Sequence, residues 1–150
     1  MDSKHAIVLV VEDSRSDVLL LRRAFIDSQI DAEIIAACDG DESLAIVDGR
    51  FGEETGNQLD LIILDISMPG LNGIETLKLL RERPHLKEVP ILMLSESRLI
   101  DDVQVALDLG ATSFANKVAS VAELNGLVQN IAGHWLPHSI KRPRSKPIAA

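Results

Sequence analysis

The chain has 150 residues, 46% of them apolar but only 3% aromatic, and carries a formal charge of −8. That length suits one domain with an aliphatic core, and the acidic balance argues against the basic surface of a dedicated nucleic-acid binder. No apolar run approaches the ~20 residues of a membrane span, the short apolar run after Lys4 and His5 leads into acidic Glu12 and Asp13 and is no signal peptide, and the single Cys38 excludes an internal disulfide framework, so a reducing, cytoplasmic location is expected.

Ala6 to Val11 (AIVLVV) is a continuous apolar run, the pattern of a strand covered on both faces. It ends in Glu12-Asp13-Ser14. Ser14 followed by Asp17 reads as a helix start, and the helix carries Val18, Leu21 and Phe25 on one face as far as Ser28. Asp31 to Ala37 is a weaker strand of edge type, and Cys38-Asp39-Gly40 reads as a turn. A short helix is expected over Asp41 to Val47, then a polar, glycine-rich loop over Gly49 to Gln58, longer than the ~2–6 residues usual for such a connection.

A second unbroken apolar run, Leu61 to Leu64, follows Asp60 and ends in Asp65. Pro69-Gly70 then forces the chain out of the sheet. Asn72 is placed to cap a helix that buries Ile74, Leu77 and Leu80 or Leu79, runs to about Arg83 and is stopped by Pro84. Pro90 opens a strand, Ile91 to Leu94, ending in Ser95-Glu96-Ser97. A helix over Asp101 to Leu109 turns Val103, Ala106 and Leu107 inward, with Gly110 as a left-handed C-cap. Thr112 to Asn116 is the last strand, followed by Lys117. Ser120 and Glu123 start a final helix to Trp135, with Val121, Leu124, Val128, Ile131 and Trp135 at steps of three and four. The folded domain is expected over 1–136. From Pro137 to Ala150 the chain has Lys141, Arg142, Arg144 and Lys146 and no acid, which leaves −12 on the rest and reads as a basic, disordered tail.

Five repeats of strand then helix imply a parallel sheet with helices on both faces and right-handed crossovers. At this size the expected fold is an α/β, doubly wound, flavodoxin-like (βα)5 with sheet order 2-1-3-4-5. Ligands of such sheets bind at the carboxyl ends of the strands. Glu12 and Asp13, Asp65, Ser95 and Lys117 each follow an apolar strand directly and so collect at that rim. Three close carboxylates repel unless a cation intervenes, and a hard divalent ion such as Mg²⁺ suits oxygen ligands. A carboxylate nucleophile, a cation, an ammonium and a hydroxyl donor together fit phosphoryl transfer to an aspartate. Asp65 is then the nucleophile, Lys117 offsets charge on the phosphoryl oxygens and Ser95 hydrogen-bonds one of them.

The stretches Val10-Val11-Glu12-Asp13-Ser14, Leu64-Asp65-Ile66-Ser67-Met68-Pro69-Gly70-Leu71-Asn72-Gly73, Leu94-Ser95 and Lys117 resemble the receiver domain of two-component response regulators, over about residues 5 to 134. The resemblance implies that Asp65 accepts phosphate from a sensor histidine kinase, and that Glu12, Asp13 and Asp65 bind Mg²⁺ with the backbone carbonyl of Ser67. It implies too that Ser95 and Lys117 hold the phosphoryl group, and that Phe114 moves with Ser95 on activation. The chain would then be a phosphoacceptor signalling protein rather than an enzyme with a separate substrate. The long loop before the third strand, the lack of an output domain and the ending His134-Trp135-Leu136-Pro137 are similar to the regulators of cyanobacterial and bacterial phytochromes, implying a bacteriophytochrome kinase as partner.

Two positions depart from the family pattern. Val118 stands where Pro with a cis bond is usual, and since a cis non-prolyl bond costs ~3–4 kcal/mol, a trans bond is expected. Glu96 stands where small residues are common. These two support the alternative of a pseudo-receiver, an interaction module that works without phosphorylation. A haloacid-dehalogenase-like phosphatase needs a second acid two residues after the nucleophile, where this chain has Ser67. A flavodoxin would have to place its phosphate against Glu12 and Asp13. The stripe on the last helix also suits a homodimer seam.

Overall fold

The computed structural model describes residues 5–66, 72–95, 100–118 and 120–141. Strands β1 (Ala6–Val11), β2 (Ala32–Ala37), β3 (Leu61–Asp65), β4 (Ile91–Ser95) and β5 (Ser113–Asn116) alternate with helices α1 (Arg15–Asp27), α2 (Gly40–Arg50), α3 (Gly73–Arg81), α4 (Ile100–Asp108) and α5 (Val121–Trp135). All pairings are parallel and the order is β2-β1-β3-β4-β5, the flavodoxin-like order expected from the alternation.

Side chains alternate across each strand, and this sorts the apolar runs into two cores. Leu9, Val11, Ile62, Leu64, Ile91 and Met93 meet α2, α3 and α4 through Val47, Leu77, Leu80 and Ala106. Val8, Val10, Leu61, Ile63, Leu92 and Leu94 meet α1 and α5 through Leu21, Phe25, Val128 and Ile131. Both faces are covered, which is why these strands read as unbroken apolar runs rather than alternating ones. Val11 lies opposite Leu64 in the register, so the next residues, Glu12 and Asp65, leave the sheet side by side. Counted by twos from Val8–Val10 and from Leu61–Ile63, both acids lie on the α1/α5 side. Ser95, counted from Ile91 and Met93, belongs with the α3/α4 layer.

Several local expectations change. The Cys38-Asp39-Gly40 turn is the start of α2: Asp39 accepts from the Glu42 N–H at 2.8 Å, and the Glu42 carboxylate accepts from the Cys38 N–H at 2.7 Å. The helix continues three residues past Val47 to end on Arg50, a cation placed well for the negative end of the dipole. Helix α3 ends at Arg81 rather than Arg83, with Pro84–Leu86 forming a short 3₁₀ turn. On α4, Ala106 is buried but Leu107 faces solvent, and on α5 Val121 is exposed, so neither is a core residue.

The tail expected from Pro137 begins later. Pro137–Ser139 form a 3₁₀ turn, Ser139 is buried, and Ile140 makes an antiparallel bridge to Ile30. The Asp31 N–H donates to the Ser139 carbonyl and the Lys141 N–H to the Gln29 carbonyl at 2.6 Å. These bonds satisfy backbone groups at the α1–β2 junction, where Gln29 has a positive φ of 58°. Ending the chain at Leu136 would leave the Asp31 N–H without this acceptor and strip cover from Ile30. That truncation is expected to cost on the order of 1–3 kcal/mol, read as a fall in the urea midpoint; an unchanged midpoint would show that the clamp is not stabilising.

Candidate functional site

Glu12 extends β1 by one bond, its N–H donating to the Ala37 carbonyl at 2.9 Å. Its side chain is only 7% exposed by residue, and carboxylate oxygen Oε2 accepts from the Ser14 N–H at 3.0 Å. Ser14 caps α1, its Oγ accepting from the Asp17 N–H at 3.2 Å. Asp13 is exposed at the rim.

Asp65 closes β3 and is 4% exposed. The strand end at Asp65 and Ile66 is backed by α3. Asn72 and Glu75 form a reciprocal capping box, and the Gly73 N–H donates to the Ile66 carbonyl at 3.2 Å. Gly73 is pressed against the strand end so closely that a Cβ there would lie 2.3 Å from the Asp65 carbonyl oxygen and 2.5 Å from Ile66 Cα. Only glycine permits that approach.

Lys117 enters from the opposite edge of the cleft. Its N–H donates to the Ser95 carbonyl at 2.9 Å, carrying the β4–β5 ladder one residue further. Its ammonium Nζ lies 2.7 Å from Glu12 Oε1, 3.3 Å from Asp65 Oδ2 and 3.2 Å from Asp17 Oδ2. The Lys117–Val118 bond is trans, since no cis peptide occurs among the described residues, as the absence of proline predicts. Ser95 is fully buried and Phe114 packs on the α3/α4 core. Ser67, expected to offer a carbonyl ligand, and Glu96, which departs from the family pattern, lie outside the described residues.

Burial pushes the Glu12 carboxyl up to about 7; the hydrogen bonds from Lys117 and Ser14 pull the other way, and the nearby Asp65 charge adds to the rise. For Lys117, burial alone would lower the ammonium, but the Glu12 hydrogen bond and the charges of Asp65 and Glu12 outweigh it and hold it above its usual value. One carboxylate oxygen each from Glu12, Asp13 and Asp65 lies within 4.8 Å of the others. An all-oxygen donor set of three acids, with one ammonium shared between two of them, fits a hard divalent cation.

Of the residues expected at the rim, the structure therefore brings Glu12, Asp13, Asp65 and Lys117 together and places Ser95 at the adjoining strand end. Sequence reasoning passed over two others. Asp17 reads as an ordinary first-turn acid, and its contact with Lys117 spans 100 residues. Gly73 follows a capping residue, but nothing in the sequence shows what its missing side chain makes room for.

The response regulator receiver domain model matches residues 8–129. Response regulator Rcp1 of Synechocystis sp. is 32% identical over 130 residues, covering 87% of this chain and 88% of that one. The chain spans only about half the length (47–56%) of some other curated relatives it matches. Among solved structures, the phosphorylated cyanobacterial phytochrome response regulator RcpA superposes with a TM-score of 0.79 at 31% identity, over 89% of this chain and 95% of that one. The Mn²⁺-bound form of response regulator Rcp1 gives 0.75 at 30% identity, over 95% and 99%.

Replacing Gly73 with alanine forces a methyl group into the backbone that carries Asp65. Gly73→Ala is expected to destabilise the fold by about 1–3 kcal/mol, the usual range for overpacking, in a denaturant titration. A variant as stable as the parent would show that α3 can back away from β3 freely.

Proposed function

The chain belongs to the response regulator receiver family, and we propose on that footing that it is a two-component phosphoacceptor in which Asp65 takes a phosphoryl group from a sensor histidine kinase with Mg²⁺ present. The observation that carries this reading is Asp65 itself. It is a carboxylate almost out of water at the rim of the sheet, with an ammonium 3.3 Å away and two further acids grouped around it. An isolated structural aspartate at a strand end has no use for that company.

In the proposed reaction an oxygen of the Asp65 carboxylate attacks phosphorus. A P–O bond forms, the bond from phosphorus to the donor's imidazole nitrogen breaks, and the imidazole leaves with the bonding pair and takes up a proton. Lys117 follows the negative charge, exchanging its contact with the Asp65 oxygen for one with a phosphoryl oxygen. Ser95 offers its hydroxyl from the β4 end. Glu12, Asp13 and Asp65 hold the Mg²⁺, with the Ser67 carbonyl as a further ligand by family resemblance. The ion, when bound, offsets charge on the phosphoryl oxygens. Ser95 and Phe114 lie on the α3/α4 side of the sheet, which supports the reading that a shift of Ser95 toward the phosphoryl group is followed by Phe114. The likeness to Rcp1 and RcpA favours a phytochrome-type kinase as donor. Homodimerisation, a cytoplasmic location and no direct nucleic-acid contact complete the reading. The product is a signalling state rather than a released compound.

Incubation with acetyl phosphate and Mg²⁺ is expected to add one labile phosphate, seen by intact mass, and Asp65→Asn to abolish it. No gain in a folded, Mg²⁺-binding sample would instead favour a phosphorylation-independent interaction module.

Metal affinity should depend on pH through Glu12. Only the charged carboxylate is a ligand, and burial keeps Glu12 protonated up to about 7. Protons therefore compete below that pH, and affinity is expected to fall by up to about tenfold per pH unit on going down from 7. Calorimetric titration at pH 6, 7 and 8 measures this, and Glu12→Gln should flatten the profile while weakening binding throughout. A flat profile in the parent would show that Glu12 does not ligate.

A further inference from the structure

Lys117 touches three carboxylates, and they are not equivalent. Glu12 and Asp65 belong to the trio whose oxygens gather within 4.8 Å; Asp17 does not. A divalent cation on that trio competes with Lys117 for the Glu12 and Asp65 carboxylates and repels its ammonium. Of the three contacts, the one to Asp17 alone is to an acid outside the trio, so it is the one such a cation does not compete for.

The start of α1 explains why Asp17 is available. At the third helical residue after a capping serine, a Glu or Gln side chain can turn back to the N–H of the cap. Here the Ser14 N–H already donates to Glu12 Oε2 at 3.0 Å. That donor is thus taken, and Asp17 Oδ2 meets Lys117 Nζ at 3.2 Å. These two bonds tie Glu12 to the helix start and Asp17 to the ammonium. The cleft holding Lys117 and Asp17 also holds Glu12 and Asp65, and the rest of its lining is apolar, with Leu20 and Leu21 of α1 and Leu124 and Leu127 of α5 on one side and Val118 beside them. Among the described residues, those helix walls offer the ammonium no competing partner. Val118 with its trans bond replaces a rigid prolyl constraint after the lysine, so placement falls to side-chain contacts.

We infer that Asp17 is a positioning residue for Lys117, holding its ammonium beside Asp65 when a divalent cation occupies Glu12, Asp13 and Asp65. The consequence for phosphoryl transfer rests on the phosphoacceptor reading given above. The Asp17 side chain is 44% exposed against 4% for that of Asp65. The contact is therefore solvated and exchangeable, suited to letting Lys117 go once a phosphoryl oxygen appears.

The test is the reactivity of Lys117 toward limiting N-hydroxysuccinimidyl acetate in the full chain, read by peptide mass spectrometry with and without saturating Mg²⁺. Exposed Lys78 and Lys87 serve as internal references. With Mg²⁺, Asp17→Asn is expected to raise acetylation of Lys117 about two- to fivefold over the parent, the span of a half-exposed ion pair, with the references unchanged. Asp17→Glu should restore protection, and without Mg²⁺ the difference should shrink because Glu12 and Asp65 still hold the lysine. Equal labelling of parent and Asn variant in Mg²⁺ would overturn the inference. So would a uniform rise at all three lysines, which marks general loosening. In a second arm, Asp17→Asn should slow phosphorylation by acetyl phosphate to a similar extent, with no further slowing when introduced into Lys117→Met. A parent that takes up no phosphate at all sinks the phosphoacceptor reading, while the labelling still decides the role of Asp17.

Discussion

Two carboxylates withdrawn from water at adjacent strand ends, with one ammonium between them, are the constraint around which the rest of this molecule is arranged. Glu12 and Asp65 are each less than a tenth exposed. Removing such charges from water is costly, and the cost is tolerated only where a partner of opposite charge and further hydrogen bonds are supplied. Lys117 supplies the charge, at 2.7 Å from one and 3.3 Å from the other. The Ser14 N–H supplies one of the hydrogen bonds. A single positive charge against Glu12, Asp13, Asp65 and the nearby Asp17 leaves the cleft strongly negative. That excess is the charge that a divalent cation on these acids would offset.

The sheet makes this arrangement possible. Parallel strands with helical crossovers put every strand end on the same rim, and the 2-1-3-4-5 order sets β1 beside β3, so that Glu12 and Asp65 emerge as neighbours. Alternation along the strands then divides the labour. The acids lean to the α1/α5 side, where Asp17 and the cleft walls lie. Ser95 belongs with the α3/α4 layer, on which Phe114 packs. A charge change at Asp65 is thereby placed between two helical layers and has a polar group of each within the rim.

The glycine at the start of α3 shows how tightly the carboxylate is backed. With the Asp65 carbonyl where a Gly73 Cβ would need to be, the helix serves as a stop behind the strand end. The fixed side of the site is thus β3 with α3. The adjustable side is the lysine, whose ammonium is held, among the described residues, by carboxylates that other cations can claim.

The order of elements, the two-sided burial of β1, β3 and β4, and the strand-end positions of Glu12, Asp13, Asp65, Ser95 and Lys117 were all legible in the chain, because apolar run length and turn residues are local signals. The roles proposed for Ser67 and Phe114 rest on family resemblance and not on any local pattern. What the sequence misjudged was also local, at helix ends. Asp39 caps where a turn was expected, and Leu107 and Val121 face solvent because a helical stripe of the right spacing does not say how far round the neighbouring layer reaches. The sequence by itself determined the fold class and which side chains stand at the rim, since periodicity and sheet topology leave few other solutions. Only the tertiary structure decided which of them touch. Lys117 meets Asp17 across 100 residues, Gly73 lies against Asp65, and the segment after Pro137 clamps the α1–β2 junction. Each of those contacts joins groups far apart in the chain or fills a space that exists only once the layers have packed.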